Sequence, residues 1–348
     1  MPTTAHAMSV MKTFFAVVLF VAASLSLAFA SETYDQRVHR FDYDSKTPLD
    51  VQDAGSENRD GIQVQTISYA SLKGGRVPAY LVLPKGKGPF PAIIYAHWAM
   101  KGSSMRNKTE FLDEALVMAR AGVLSLLIDA PFARPGFVES ADPLGPQETD
   151  VMFQQILDVR RGVDLLTSRS DVDPGRIAFV GHSFDAQVGG VLSGVEHRIK
   201  SYVLMCGVLA VSDEVLSNDP EMTAIRAKLG DENIRNYLSN YEWLDPVHYI
   251  SHAAPSALFL QHARVDGISG AGPAEHFFGI ATEPKLLKIY DAPHALNAEA
   301  RHDRAEWLQK QLHLKSVDYK ALDKLPELAQ PVPPSTLGQP VPMRTPPS

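Results

Sequence analysis

Cysteine is nearly absent from this sequence, because Cys206 is the single cysteine among 348 residues. One thiol cannot form an intramolecular disulfide, and it cannot alone build a thiolate zinc site or hold an iron–sulfur cluster. Cys206 ends the apolar run 202–206, which favours a buried, inert thiol over a reactive one. We therefore expect any catalytic groups to be oxygen and nitrogen atoms.

Positive charge is not in excess either. Lysine and arginine number 33 against 40 aspartate and glutamate residues, a formal net charge of −7. Such a chain has no basic field to attract phosphate backbones, so nucleic acid is not expected as a partner. The twelve histidines form no His-Glu-x-x-His pattern, and the glycines between 267 and 272 lack the Lys-Ser/Thr pair of a phosphate-binding loop. The sequence therefore predicts neither a metal nor a cofactor.

Long hydrophobic runs are absent except near the start, where Thr13–Ala30 is almost uninterrupted, follows Lys12 and ends in Ala-Phe-Ala. This pattern predicts a signal peptide over residues 1–30, cleaved before Ser31. The alternative is an uncleaved anchor, because the run approaches the ~17–20 residues that can span a bilayer. We expect an exported protein, periplasmic or extracellular, with no stable membrane insertion after cleavage.

Proline is concentrated at the other end, where eight of the 25 prolines fall within residues 326–348. Proline at this density is typical of a disordered tail, predicted over 316–348. Between the two ends, the chain is divided into an N-terminal extension over 31–60 and a catalytic domain over 61–315.

The order of elements in the catalytic domain predicts its fold class. Ile62–Tyr69 and Val77–Leu83 resemble antiparallel strands. From residue 91, short apolar runs alternate with helical stretches. The apolar runs are 92–95, 123–128, 177–180, 202–206, 257–260 and 286–290, and the helical stretches are 110–121, 151–166, 186–195, 274–280 and 298–312. This alternation predicts an α/β fold with a mostly parallel central sheet and helices on both faces. Ligands bind at the carboxyl ends of such strands.

A serine follows the strand at 177–180, in the sequence Gly181-His182-Ser183-Phe184-Asp185-Ala186, and a helical stretch follows at once. A serine between strand and helix in this context predicts a nucleophile elbow, in which the sharp turn holds the hydroxyl above the sheet. A serine nucleophile needs a base, and the base needs an orienting carboxylate.

Two residues past later strands are candidates for these roles. Asp266 lies on a turn after the run 257–260, and His294 lies in a loop after the run 286–290, which gives the chain order Ser183, Asp266, His294. Asp291, three residues before His294, is the alternative carboxylate.

Residues 60–315 resemble the α/β-hydrolase superfamily, particularly its dienelactone-hydrolase-like, acetyl-xylan-esterase-like and prolyl-oligopeptidase-like catalytic domains. The matching segments are Val172–Ile177 leading into Gly181-His182-Ser183, then Asp245–Ile250, the Asp266 turn and the His294 loop. The resemblance implies Ser183 as the nucleophile, His294 as the general base and acid, and Asp266 as the residue that orients His294.

An acyl-transfer enzyme also needs N–H donors for the developing oxyanion. The backbone N–H of Phe184 is the first expected donor, and Trp98 or Ala99 supplies the second, from the loop after strand 92–95. In the family this loop usually begins His-Gly, whereas here it begins His97-Trp98-Ala99. We interpret His97 as a structural hydrogen-bonding residue rather than a catalytic one.

Asp185 is a second departure from the family, which usually has a small residue at this place in the elbow. Its side chain either caps the following helix or distorts the turn. A negative charge here is also expected to raise the pKa of His294.

In the long loop after residue 129, Arg134 either meets an acidic substrate group or forms a surface salt bridge. Residues 208–250 are predicted to form a small cap. Its Tyr241 and Trp243 either line an acyl pocket or pack the cap, and packing is favoured.

These features predict an exported serine hydrolase that cleaves small-molecule carboxylic esters. A serine peptidase and an acyltransferase on the same fold remain alternatives, and so does a catalytically silent binding protein, which Asp185 and Trp98 would favour. Among these, esterase is preferred over peptidase because related peptidases usually carry a large additional domain. The sequence does not indicate an oligomeric state.

Overall fold

The computed structural model describes residues 32–142, 145–218, 220–266 and 271–328. The predicted signal peptide and residues 329–348 of the predicted tail lie outside these ranges. The chain divides into two units, residues 1–42 and residues 43–348. The described part of the first unit contains one short helix, α1 (Tyr34–His39), which begins with a capping box between Thr33 and Gln36.

The second unit is built on a nine-stranded sheet in the order β1-β2-β3-β5-β4-β6-β7-β8-β9. Its strands are β1 (Gln52–Arg59), β2 (Ile62–Ala70), β3 (Arg76–Leu83), β4 (Phe90–Ala96), β5 (Leu124–Ile128), β6 (Val172–His182), β7 (Ser201–Met205), β8 (Ala257–Ala263) and β9 (Lys285–Tyr290). The pairs β1–β2, β2–β3 and β3–β5 are antiparallel, whereas the strands β4 to β9 run parallel to one another. The mostly parallel sheet confirms the predicted fold class.

Helices cover both faces of the sheet. They are α2 (Leu112–Arg120), α3 (Gln147–Thr167), α4 (Phe184–Val195), α5 (Val211–Leu216), α6 (Pro220–Leu229), α7 (Asp231–Tyr241), α8 (Ala271–Ile280), α9 (Ala298–Gln311) and α10 (Tyr319–Asp323). Successive strand residues point to opposite faces. Tyr95 and Val203 belong to the core beneath α2 and α9, whereas the neighbouring Ile94 and Leu204 lie against glycines of α3 and α4. Strands buried on both faces explain the continuous apolar runs.

Two predicted boundaries need correction. The segment predicted as an N-terminal extension contains β1, whose sequence Gln-Asp-Ala-Gly-Ser-Glu-Asn-Arg has no apolar alternation because seven of its eight residues are exposed. The predicted disordered tail begins too early, since α10 lies within it and Leu322 and Val317 are buried. Both elements lie in polar sequence with few apolar residues, which concealed them.

The segment 208–250, predicted as a cap, lies between β7 and β8 and contains α5, α6, α7 and short 3₁₀ turns. Tyr241 is buried, and the ring of Trp243 packs edge-on against Phe153 of α3, with the ring centroids 5.3 Å apart. Both aromatic residues therefore have packing roles, although Trp243 is only partly buried and packs against α3 rather than inside the segment. None of the helices in the described part of the chain combines the length and apolar character needed to cross a bilayer.

Candidate active site

Ser183 occupies the sharp turn between β6 and α4. Its backbone has φ +56° and ψ −112°, a conformation that residues with a side chain rarely adopt. Three hydrogen bonds hold this turn: the Ser183 N–H donates to the Met205 carbonyl at 2.7 Å, and the Ser183 carbonyl accepts from Ala186 and Gln187. A strained residue that its surroundings hold in place is typical of a functional site. The turn has the shape that the elbow motif predicts.

Asp266 and His294 are brought together from separate loops. The Nδ1 of His294 lies 2.8 Å from the Oδ2 of Asp266, and both side chains are fully buried. Burial lowers the pKa of His294, although the hydrogen bond with Asp266 acts in the opposite direction. The Nε2 of His294 is buried and forms no hydrogen bond with the described residues. This arrangement leaves a neutral imidazole whose Nε2 is free to accept a proton.

Asp291, the alternative carboxylate, points elsewhere. Its side chain is 86% exposed, and its nearest charged partner is Arg264, at 4.0 Å. An exposed carboxylate on a separate contact cannot orient a buried imidazole. Of the two candidates, the structure therefore places Asp266 against His294.

Cys206 is buried, and its Sγ lies within 4.8 Å of an Asp266 carboxylate oxygen. Burial raises the pKa of its thiol well above the usual range, and the charge of Asp266 acts in the same direction. The thiol therefore stays protonated, in agreement with the prediction of an inert cysteine. Within the described residues, Cys206, Asp266 and His294 are also the one group whose potential metal-ligating atoms lie within 4.8 Å of each other.

The loop after β4 contains the predicted oxyanion donors. The N–H of Trp98 donates to the Oε2 of Glu110 at 2.7 Å, so this N–H is already engaged and the prediction of Trp98 as a donor is wrong. The Trp98 carbonyl is bonded to Nδ1 of His97, whose Nε2 accepts from the Ala130 N–H. His97 is thus structural, as predicted. In a trans peptide the C=O and the next N–H point in opposite directions, so His97 fixes the direction of the Ala99 N–H.

Phe184, whose N–H is the other predicted donor, is the first residue of α4. The first N–H groups of a helix have no partner within the helix and are directed outward at its positive end. The ring of Phe184 packs edge-on against that of Phe132, with the centroids 5.2 Å apart. The Arg106 guanidinium lies over the Phe132 ring, 4.5 Å from its centroid. These groups give the site one aromatic wall.

Glu110 and His182 belong to the site but were not identified from the sequence. The carboxylate of Glu110 lies 2.5 Å from Nδ1 of His182, and both side chains are fully buried. The Nε2 of His182 lies 3.0 Å from the carbonyl oxygen of His294. Its ring stacks on those of Trp98 and His294, with centroid distances of 5.0 Å and 5.3 Å. The two residues are 72 positions apart in the chain, so no local pattern predicts the pair.

Asp185 does not cap α4. Its side chain is fully buried, and its Oδ1 accepts a hydrogen bond from the Gln155 amide at 2.9 Å. Burial raises the pKa of Asp185 well above its usual range, which favours the neutral acid. The expectation that its charge raises the pKa of His294 is wrong, because burial lowers that pKa and the acid is held neutral.

Arg134 neither faces a substrate nor forms a surface salt bridge. Its guanidinium lies 2.7 Å from the carboxylate of Asp158, which is fully buried, and it also donates to the Asp129 carbonyl. Both expectations for Arg134 are therefore wrong. The buried ion pair holds the long loop around Arg134 to α3. The loop sequence alone does not predict it, because the partner Asp158 lies on a separate helix.

The nine-stranded sheet, with a serine on a strained turn after β6 and a histidine loop after β9, defines the α/β-hydrolase fold, as predicted. Solved structures with this fold include the acetyl xylan esterase of Paenibacillus sp. R4, at a TM-score of 0.64 and 18% identity over 80% of this chain and 93% of that one. Acetyl xylan esterase 1 of Thermoanaerobacterium sp. JW/SL YS485 has a TM-score of 0.62 and 16% sequence identity. The match covers 82% of this chain and 96% of that one. At these identities the likeness establishes the fold.

Sequence relatives match over shorter segments. YtaP of Bacillus subtilis is 26% identical over 182 residues, or 47% of this chain and 60% of YtaP. Esterase EstD of Thermotoga maritima is 30% identical over 136 residues, or 37% of this chain and 30% of EstD. The chain thus spans less than two thirds of either relative. No protein-family model matches the sequence.

Proposed function

We propose that this protein hydrolyses carboxylic esters through an acyl-enzyme on Ser183, with His294 as general base and acid and Asp266 as the orienting carboxylate. The observation that carries the proposal is the buried His294–Asp266 pair, with its 2.8 Å hydrogen bond and its unpartnered Nε2. The strained turn at Ser183 and the hydrogen bond between His182 and the His294 carbonyl support it, because they hold the histidine loop beside the elbow.

In the proposed reaction, the Nε2 of His294 accepts the Ser183 hydroxyl proton as the serine oxygen attacks the ester carbonyl. The N–H groups of Phe184 and Ala99 donate to the oxyanion. The same imidazole then gives its proton to the leaving alcohol, which forms the acyl-enzyme. Water, activated by His294, releases the acid and restores the serine. Throughout, Nδ1–H donates to Asp266, which fixes the tautomer and stabilises the imidazolium.

The relatives support an ester as substrate. Both acetyl xylan esterases and EstD carry an esterase activity in their names, and the first two share the fold over about four fifths of this chain. A small-molecule ester is therefore the proposed substrate class. We also propose that the chain is exported, on the basis of the hydrophobic run that follows Lys12. A silent binding role loses one of its two supports, because Asp185 is held neutral by burial.

A fluorophosphonate probe tests the proposal, because it labels only an activated serine. We expect the protein to be labelled, and Ser183→Ala to abolish labelling and lower kcat on p-nitrophenyl esters by about 10⁶-fold. The matched control is Ser193→Ala on the same helix, a buried serine that only bonds the Gly190 carbonyl. It should be labelled like the wild type. Failure of the folded wild-type protein to react would remove the catalytic assignment.

A further inference from the structure

The carboxylate of Glu110 connects two loops of the site. One oxygen accepts the Trp98 N–H at 2.7 Å, and the other lies 2.5 Å from Nδ1 of His182. Glu110 itself is buried, just before α2. Its two oxygens therefore contact the loop that carries the Ala99 donor and the residue directly before the Ser183 nucleophile.

The second nitrogen of His182 extends this connection to the general base. A carbonyl oxygen only accepts hydrogen bonds, so the 3.0 Å contact with the His294 carbonyl requires a proton on Nε2 of His182. A further proton must then lie between Nδ1 and the Glu110 carboxylate, since two acceptors would repel at 2.5 Å. This proton is shared whether the pair is an imidazolium with a carboxylate or an imidazole with a carboxylic acid.

We infer that Glu110 is a positioning residue for the proposed reaction, which acts through Trp98 on the oxyanion loop and through His182 on the His294 loop. Its hydrogen bonds hold the general base and the Ala99 N–H at a fixed separation around the elbow. The inference rests on the proposed function. Positioning of this kind has a large effect on rate, because moving a reacting group by about 1 Å lowers the rate by about 10²-fold.

Glu114, four residues after Glu110 and within α2, offers a matched control. It is equally buried, but its carboxylate pairs with Arg304 at 2.6 Å and contacts neither loop of the site. Replacing either glutamate by alanine leaves a buried partner without its acceptor and lowers stability. Only Glu110→Ala releases Trp98 and His182 as well.

The first test separates positioning from stability by kinetics on p-nitrophenyl acetate. We expect Glu110→Ala to lower kcat by about 10²-fold with KM changed less than about threefold, and Glu114→Ala to keep kcat per folded molecule within about threefold of the wild type. Equal losses of kcat in the two variants would overturn the inference, and so would an unchanged kcat in Glu110→Ala.

Glu110→Gln is the conservative variant. Its amide oxygen can accept the Trp98 N–H, and its NH₂ group can donate to Nδ1 of a neutral His182, so both hydrogen bonds are kept with one proton fewer. We expect its kcat to be at least tenfold above that of Glu110→Ala. A Glu110→Gln variant as slow as Glu110→Ala would contradict positioning by hydrogen bonds.

Proton NMR of the full chain tests the shared proton without requiring activity. The wild type and Ser183→Ala should both have two strongly deshielded imidazole N–H resonances, one from Glu110–His182 and one from Asp266–His294. Glu110→Gln should remove only the first and Asp266→Asn only the second. Because Ser183→Ala is inactive if the proposed function holds, this result is independent of turnover. A spectrum unchanged by Glu110→Gln would overturn the inference even if the esterase activity is real.

Discussion

Asp185 is the residue at which this chain departs most clearly from the pattern of its elbow. A buried carboxylate beside a serine nucleophile would be costly if ionised, because nothing in a low-dielectric interior replaces its hydration. Gln155 donates an amide N–H to this carboxyl group, but it brings no positive charge that would stabilise the ionised form. Holding the proton is therefore the less costly state, and the elbow keeps its shape around a neutral side chain.

This residue makes stability depend on pH. In the unfolded chain an aspartate ionises with a pKa of about 3.9, whereas the folded protein holds Asp185 neutral. As the pH rises above about 4, ionisation stabilises only the unfolded state, so the free energy of unfolding falls. We expect Asp185→Asn to gain stability at pH 7, by at most about 4 kcal/mol, and to gain little at pH 4.

Urea unfolding of the two proteins at both pH values measures this difference. Asp291→Asn is the control, because its side chain is 86% exposed and the substitution should change stability at neither pH. A gain for Asp185→Asn that is equal at pH 4 and pH 7 would contradict the neutral acid.

At the scale of elements, the junction of β6 and α4 depends on close backbone approach. A methyl group on Gly181 would overlap the carbonyl group of Asp185 in the first turn of α4. Gly189 of the same helix is packed equally tightly, against the ring of Phe179. The close packing at this junction therefore requires glycine at Gly181, before the serine, and at Gly189, within the helix.

We expect Gly181→Ala to lower the free energy of unfolding by about 1–3 kcal/mol, because overpacking forces strand and helix apart. Its kcat should fall as well, since the shift moves the Ser183 hydroxyl. Gly279→Ala in α8 is the control, because a methyl group there meets nothing within 4 Å. Thermal unfolding and ester hydrolysis check both variants. Wild-type activity in Gly181→Ala would show that the turn tolerates the methyl group.

The sequence predicted the elements that have an intrinsic signal. The strands β4 to β8 are buried on both faces, so their apolar runs mark them directly, whereas β1 is held by backbone pairing with β2 and its side chains give no signal. The site follows the same division. Ser183, Asp266 and His294 each follow a recognisable strand, but Glu110 meets His182 only once the sheet has assembled. The predicted roles of these three residues stay predictions until the labelling experiment.

At the scale of the whole molecule, the segment after α9 closes part of the core. Leu322 of α10 is buried, and Arg301 of α9 donates to the carbonyl groups of Leu322 and Leu325. The burial of Leu322 and the hydrogen bonds of the Arg301 guanidinium both depend on residues that were predicted from the sequence to belong to a disordered tail.

A chain that ends at Ser316 should therefore unfold more readily than one that ends at Leu328. Loss of the buried Val317 and Leu322 removes about 1.5–3 kcal/mol for each side chain, and the guanidinium loses two acceptors. Urea unfolding of the two truncated chains measures the difference. Equal midpoints would mean that the segment 317–328 contributes nothing to stability.

The exposed strand β1 has a consequence for the behaviour of the protein at high concentration. An unpaired edge is a template on which another chain can add a strand. Here the pairing register shifts between Asp53 and Ser56, and the strand carries the charged side chains of the exposed Glu57 and the partly exposed Arg59. A second strand would have to follow the irregular register and strip water from these charges. This edge therefore ends the sheet in a way that protects the folded protein from aggregation through strand addition.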